Sequence, residues 1–250
     1  KRHMVFFKER VGGRSNDTVE MKIETFVSLD KNGKGVKIKT RFDNEVKDHR
    51  VRIMVPTGIN SDVHKADSVF EVVTRNNRHN AGWNNPSGCE HEQGFVSIDD
   101  GEKGIAVANI GLYEYEMLPD LDNTIAVTIL RAVGEMGDWG VFPTPKAPCL
   151  GISETEIEIV PFKGDLISSG AYEECYQFKT DIIPAATDCH NGAMPLDYSM
   201  INWQGDGLTL TGIKQKGNGE DIILRWVNVS DKTTTLTIQK SDVIDNLYIS

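Results

Sequence analysis

Cysteine is scarce and scattered. Cys89, Cys149, Cys175 and Cys189 are the four in 250 residues, and no two form a C-x-x-C pair. So few sulfurs build no disulfide scaffold at this length, and the common zinc-ribbon and thioredoxin arrangements are excluded. Reduced, partly buried thiols in a cytoplasmic protein are the plain expectation. Any apolar run near the roughly 20 residues that cross a bilayer is missing, so no membrane partner is expected. Positive charge is in short supply: 27 Lys and Arg stand against 37 Asp and Glu, a formal net charge of −10 with a pI near 5.1. A chain this acidic repels phosphate backbones, which excludes a general nucleic-acid binder. The deficit is uneven, because the first fifty residues hold 13 basic and 8 acidic groups (+5), leaving −15 for the rest. Catalytic signatures are missing as well: there is no G-x-S-x-G, G-x-G-x-x-G, P-loop, H-E-x-x-H or H-x-D. Lys1-Arg2-His3-Met4 is followed by only three apolar residues, too few for a secretory signal. With no initiator Met, and an end inside an alternating apolar stretch, the chain is expected to be a piece of a longer polypeptide.

What the sequence has in abundance is period-two alternation, which places every second side chain on one face of a strand. Val19 to Thr25, Val36 to Phe42 and Arg50 to Val55 alternate in this way, the first with its odd positions turned to a core. Further β-rich runs cover 94–98, 104–110, 124–130, 155–160, 208–213, 221–228 and 233–239, separated by turn clusters such as Asp30-Lys31-Asn32-Gly33 and Asp99-Asp100-Gly101. Strands at this spacing without long helical patterns predict an all-β, antiparallel sandwich. The one helical pattern runs from Ser168 to Phe178, with Ser168 or Ser169 as its cap. It lies in an irregular, acidic region, since nine carboxylates and two lysines fall between 151 and 200. A boundary near 185–200, around Pro184 and Pro195, divides a large domain, 1–190, from a small terminal β-sandwich, 191–250, which is expected to be incomplete.

Candidate chemistry is sparse. The six histidines form no ligand pattern, and Cys189-His190 are adjacent, which sends their side chains to opposite faces of a strand, so no metal site is expected. Glu114 and Glu116 share a face, and a glycosidase needs two carboxylates flanking a bond. Glu154, Glu156 and Glu158 repeat that spacing on what reads as a solvated face, so neither set is taken as catalytic. His49 is expected to serve local packing or a turn hydrogen bond. The amide-rich loop around Trp83 suits sugar contacts but is ordinary turn chemistry. Arg131-Ala132-Val133-Gly134-Glu135-Met136-Gly137-Asp138-Trp139-Gly140 leaves a buried strand through three glycines, which permit sharp turns and close approach to a ligand.

Several segments resemble bacterial α-mannosidases of glycoside hydrolase family 38. Asn44 to Thr57, with Asp48-His49-Arg50-Val51-Arg52 inside it, is similar to an "N-x-x-x-D-H-R-L-R-x-x-F-P-T" stretch of that family. Phe95 to Val107, Gly111 to Glu116, Thr128 to Gly134 (an "L-L-R-A-V-G" segment), Lys214 and Leu224 to Asn228 continue the likeness in family order over about 40–230. The resemblance implies the C-terminal half of such an enzyme, with mannosylglycerate hydrolase-type members as one subgroup. Its implied fold is a galactose-mutarotase-like supersandwich followed by the small sandwich. Its implied partners are an N-terminal catalytic α/β domain and a helical bundle of the same polypeptide, and an α-mannoside. The implied cofactor is zinc held by that missing N-terminal part, serving a retaining reaction, with no catalytic or metal residue in this piece. Substrate contact is expected from Arg131, which offers a planar fork to sugar hydroxyls, Asp138, which accepts from them, and Trp139, which stacks on a pyranose. An independent carbohydrate-binding module and an aldose epimerase are the competing readings. Removal of the partner domain is expected to leave an apolar surface near the first fifty residues, from which a homo-oligomer can form.

Overall fold

The computed structural model describes residues 18–79, 82, 87–137, 142–189, 191–193, 195–217, 219, 221–239 and 248. Within them the chain is almost wholly β. The strands are β1 Ile23–Ser28, β2 Val36–Asn44, β3 His49–Val55, β4 Val63–Ser68, β5 Glu71–Asn76, β6 Cys89–His91, β7 Phe95–Asp99, β8 Lys103–Asn109, β9 Glu114–Met117, β10 Ile125–Ala132, β11 Glu135–Met136, β12 Phe142–Pro143 and β13 Gly151–Lys163. One helix follows, α1 Ala171–Phe178, and then β14 Asn202–Gln204, β15 Leu208–Gln215, β16 Ile222–Asn228 and β17 Thr237–Gln239.

A seven-stranded sheet runs in the order β1-β2-β13-β8-β7-β4-β5, and a four-stranded sheet in the order β3-β10-β9-β6; their pairings are antiparallel. Alternation explains how the two meet. On the seven-stranded sheet Val96, Ile98, Val107 and Ile157 point inward, and Val55, Tyr115, Met117, Ile125 and Val127 meet them from the other sheet. The residues between them, Phe95, Ala106, Ala108 and Val160, point the opposite way and pack with Ala171, Tyr172 and Cys175 of α1. The central strands are thus covered on both faces, which is why their sequences are continuously apolar rather than alternating. Alanines at 106 and 108 leave room for the helix.

Three local expectations change. Of the odd positions of 19–25 only Met21 packs on a core cluster; Val19, Ile23 and Thr25 are exposed, and β1 is an edge strand paired only with β2. Val19, Ile23, Phe26, Val27 and Leu29 are all 49% exposed or more, so an apolar surface does lie in the first fifty residues. The α1 N-cap is Gly170, in the left-handed region at φ 73°, with no side-chain cap, and Ser169 contributes only by accepting the Ala171 N–H at 3.3 Å. The hairpin β4–β5 turns through Val69 and Phe70 (φ 62°), a pair with none of the usual turn chemistry.

Every described residue from 180 to 200 is exposed and none is in a strand or helix. Beyond them β14 pairs with β17 and β15 with β16. Val227 and Val229 reach back to the α1 cluster, where the Tyr172 hydroxyl donates to the Leu208 carbonyl at 3.2 Å. No helix among the described residues is long and apolar enough to cross a membrane.

Candidate functional site

The four-stranded sheet turns one face to the core and carries charge on the other. On β9, Tyr115 and Met117 are buried, so Glu114 and Glu116 share the outer face, as their spacing predicts. On β3 the same alternation turns Arg50 and Arg52 outward. Arg131 lies opposite Arg50 and Thr128 opposite Arg52. Thr128 and Arg131 are three residues apart and would sit on opposite faces of a regular strand. A bulge between Thr128 and Leu130 adds one residue and returns both to the same side. They converge on one carboxylate: the Thr128 hydroxyl donates to Glu114 Oε1 at 2.8 Å and Arg131 Nη1 to Glu114 Oε2 at 2.6 Å.

The two glutamates separate three like charges. Arg52 donates to Glu116 Oε2 at 2.6 Å, and Arg50 lies 3.5 Å from Glu114 and 3.4 Å from Glu116. Arg50 Nη1 also donates to Cys89 Sγ at 2.9 Å. Burial disfavours the Arg50 charge, but Cys89 and the carboxylates outweigh it and hold the guanidinium above its ordinary value. Burial likewise opposes ionisation of Glu114, yet Thr128 and Arg131 prevail and keep its pKa below the usual carboxylate value. A carboxylate so held is a poor proton donor near neutral pH, and one gripped by arginines is a poor nucleophile. This face positions charged groups rather than supplying an acid and a nucleophile.

Beside it opens a hollow of about 540 Å³ lined by Arg75, Cys89, Glu90, His91, Tyr113 and Glu114. Its floor is a polar network. Asn77 Nδ2 donates to the Ser61 carbonyl at 2.7 Å, which leaves its Oδ1 to accept from His64 Nδ1 at 2.8 Å. His64 Nε2 lies 2.6 Å from the Tyr115 hydroxyl, which also receives Arg75 Nη1 at 2.9 Å and donates to Glu90 Oε2 at 3.0 Å. Burial pushes the Tyr115 phenol up and opposes the Glu90 charge, but hydrogen bonds from His64 and Tyr115 hold Glu90 below its ordinary pKa. Composition and spacing gave no sign of this layer; its residues come from β4, β5 and the residue after it in one sheet and β6 and β9 in the other, and meet only where the two sheets pack.

The loop after β10 is anchored at its base. The Gly134 N–H donates to Asp48 Oδ1 at 2.6 Å, and a Cβ at 134 would lie 2.8 Å from that oxygen, so the close approach requires glycine. β11 and β12 pair as the loop's two arms, and Thr144 N–H donates to the Gly134 carbonyl at 2.8 Å. Arg131 stands at the site; Asp138 and Trp139, like Trp83, lie outside the described residues. Neither ring nitrogen of His49 has a hydrogen-bond partner among the described residues, so the expected turn bond is not formed there. Among those residues, no three His, Cys, Asp or Glu side chains gather as a metal site.

Residues 7–136 match the model of the glycosyl hydrolases family 38 C-terminal domain. The chain is 37% identical over 238 residues to a protein of Halalkalibacterium halodurans named "Putative mannosylglycerate hydrolase", a match that covers 95% of this chain and 26% of that protein. Its fold is similar to that of an alpha-mannosidase from Enterococcus faecalis, with a TM-score of 0.84 and 33% identity over 92% of this chain and 26% of the other. A second family 38 structure from Enterococcus faecalis gives a TM-score of 0.83 at 32% identity, covering 94% and 27%. The chain spans about a quarter of the length of these relatives.

Proposed function

The chain belongs to the family 38 glycosyl hydrolase C-terminal domains, and from that premise we propose that it is the non-catalytic β part of a retaining, zinc-dependent α-mannosidase, supporting the catalytic part and framing its substrate site. Relatives named as an alpha-mannosidase and a mannosylglycerate hydrolase support the activity. In this reading an N-terminal α/β domain and helical bundle of the same polypeptide bind the zinc and supply the nucleophile, in the cytoplasm. The described residues gather no ligand set for that metal, so no step is assigned to it here. The larger unit, 1–190, is taken as a mutarotase-like supersandwich and 191–250 as a small sandwich, a division supported by the exposed run from 180 to 200.

One observation carries the framing role: the β10 bulge delivers Arg131 to Glu114 at the rim of the 540 Å³ hollow, where the anchored loop begins. Glu114 fixes one guanidinium edge, and Arg131, 61% exposed, keeps further donors for sugar hydroxyls. Asp138 and Trp139 follow on the same loop to accept from hydroxyls and to stack on the ring. Replacing both by Ala in the full-length enzyme should lower kcat/KM for mannosides at least tenfold with an unchanged melting temperature. Unaltered kinetics would reduce the loop to a structural element. The 250-residue chain alone should release no nitrophenol from an α-mannoside, with or without zinc.

A further inference from the structure

A groove of about 1240 Å³ lies between α1, the face of β2 and β13 and the start of the C-terminal strands. Seven carboxylates line it: Asp30 before β2, Glu156 and Glu158 on β13, Glu173 and Glu174 on α1, and Asp181 and Asp206 in the segments beyond. The lining cation, Lys37, is already held by Asp30 at 2.6 Å. Acidity alone makes no site. Two buried acceptors in the lining make a stronger case: Glu158 is 1% exposed, yet its Oε1 has no hydrogen-bond partner, and neither has Thr209 Oγ1. A buried carboxylate oxygen left unmatched is costly, so the geometry calls for a donor, and one carrying positive charge.

The fold has made room for this carboxylate. Gly35 lies over it so closely that a Cβ there would come within 2.6 Å of Glu158 Cγ and 2.8 Å of Oε1. The walls between the acids are aromatic, with Tyr176, Phe178 and Trp203, the last held edge-on by Trp226 at 5.9 Å. No three ligand side chains converge as a metal ion requires among the described residues. Carboxylates spaced along a groove, with aromatic faces between them, match ammonium groups spaced along methylene segments.

We propose that this groove binds a linear polyamine, with an ammonium group donating to Glu158 and its alkyl chain lying against Trp203 and Tyr176. Glu158 is faced by Glu174 from α1 and by Lys37 and Asp30 from the β1–β2 side. Burial, then Glu174, raise its pKa above the ordinary carboxylate value, and an ammonium donating to it favours the ionised form.

Isothermal titration of the 250-residue chain with spermidine, in two buffers of different ionisation enthalpy, tests this. The expected result is saturable binding with net proton release. Glu158→Gln should weaken it at least tenfold and remove the proton release; Glu174→Gln, on the half-exposed helix face, should weaken it severalfold without unfolding the chain. Magnesium at matched ionic strength should give no saturable heat. Equal responses to spermidine and magnesium, or unchanged affinity in the glutamine variants, would overturn the proposal in favour of diffuse counter-ion attraction. Trilysine binding tenfold tighter than spermidine would overturn it in favour of a basic peptide segment. Gly35→Ala, which displaces the Glu158 carboxyl, should reproduce the Gln effect, and full affinity in that variant would also count against the site.

Discussion

The outer face of the four-stranded sheet and the buried surroundings of Asp67 on β4 both hold carboxylates, and they treat them in opposite ways. Glu114 meets Arg131 and Arg50, and Glu116 meets Arg52 and Arg50, so every carboxylate has a cation. Between β6 and β7, Glu92 is 1% exposed beside Asp67, and Lys179 pairs with Asp67 at 3.0 Å rather than with Glu92. Glu92 takes a hydrogen bond from Asn109 on one oxygen, while the other has no partner. Burial, then the Asp67 charge, raise its pKa from 4.5 to about 8 despite the nearby lysine. Exposure to arginine gives a face of fixed charge; burial with too few cations gives carboxyls that keep their protons.

The largest test of that contrast is Glu92→Gln. A folded pKa above the unfolded value means stability is fully present below pH 4.5 and is lost as pH rises toward about 8. The wild-type chain should therefore lose up to about 1.4 kcal/mol per pH unit across that window, and the glutamine variant should not. At pH 8 the variant should be the more stable of the two in urea. Parallel pH profiles would erase the distinction between the regions.

A smaller effect is expected on the arginine side. Glu116→Ala leaves Arg52 and Arg50 facing Arg131 with one carboxylate between them, and should cost about 2 kcal/mol in urea midpoint experiments. Partial exposure of the pair, 17% and 25%, keeps the loss below that of a fully buried ion pair. A neutral result would mean that solvent, not Glu116, balances these charges.

The smallest effect sharpens the comparison from outside both regions. Glu154 pairs with Lys39 at 2.5 Å, but both side chains are at least 40% exposed. Glu154→Gln should change stability by less than about 1 kcal/mol, and the difference should vanish in high salt.

Much of the fold could be read from alternation and apolar runs, because a strand with one wet face has period two and a strand covered on both faces is apolar throughout. β7, β8, β10 and the C-terminal hairpin β15–β16 fall where apolar runs and turn clusters place them. The β4–β5 hairpin was invisible because Val69 and Phe70 carry no turn signature, and β1 was misplaced because an apolar alternating edge strand looks like a core strand. The E-x-E spacing shows the limit most clearly. Glu156 and Glu158 read alike, yet Glu156 reaches Lys39 at the surface and Glu158 is buried against Gly35 in the lining of the groove.

The sequence by itself determined the all-β class, the single short helix, and the words that mark a family 38 C-terminal region, since each depends on residues near one another along the chain. Only the tertiary structure decided which charges meet. One extra residue in β10 turns Arg131 toward Glu114, and the fold, not the strand pattern, brings Asn109 and Asp67 to the buried Glu92. Period two assigns a side chain to a face, but what covers that face comes from segments tens of residues away, and that covering sets its dielectric and its partners.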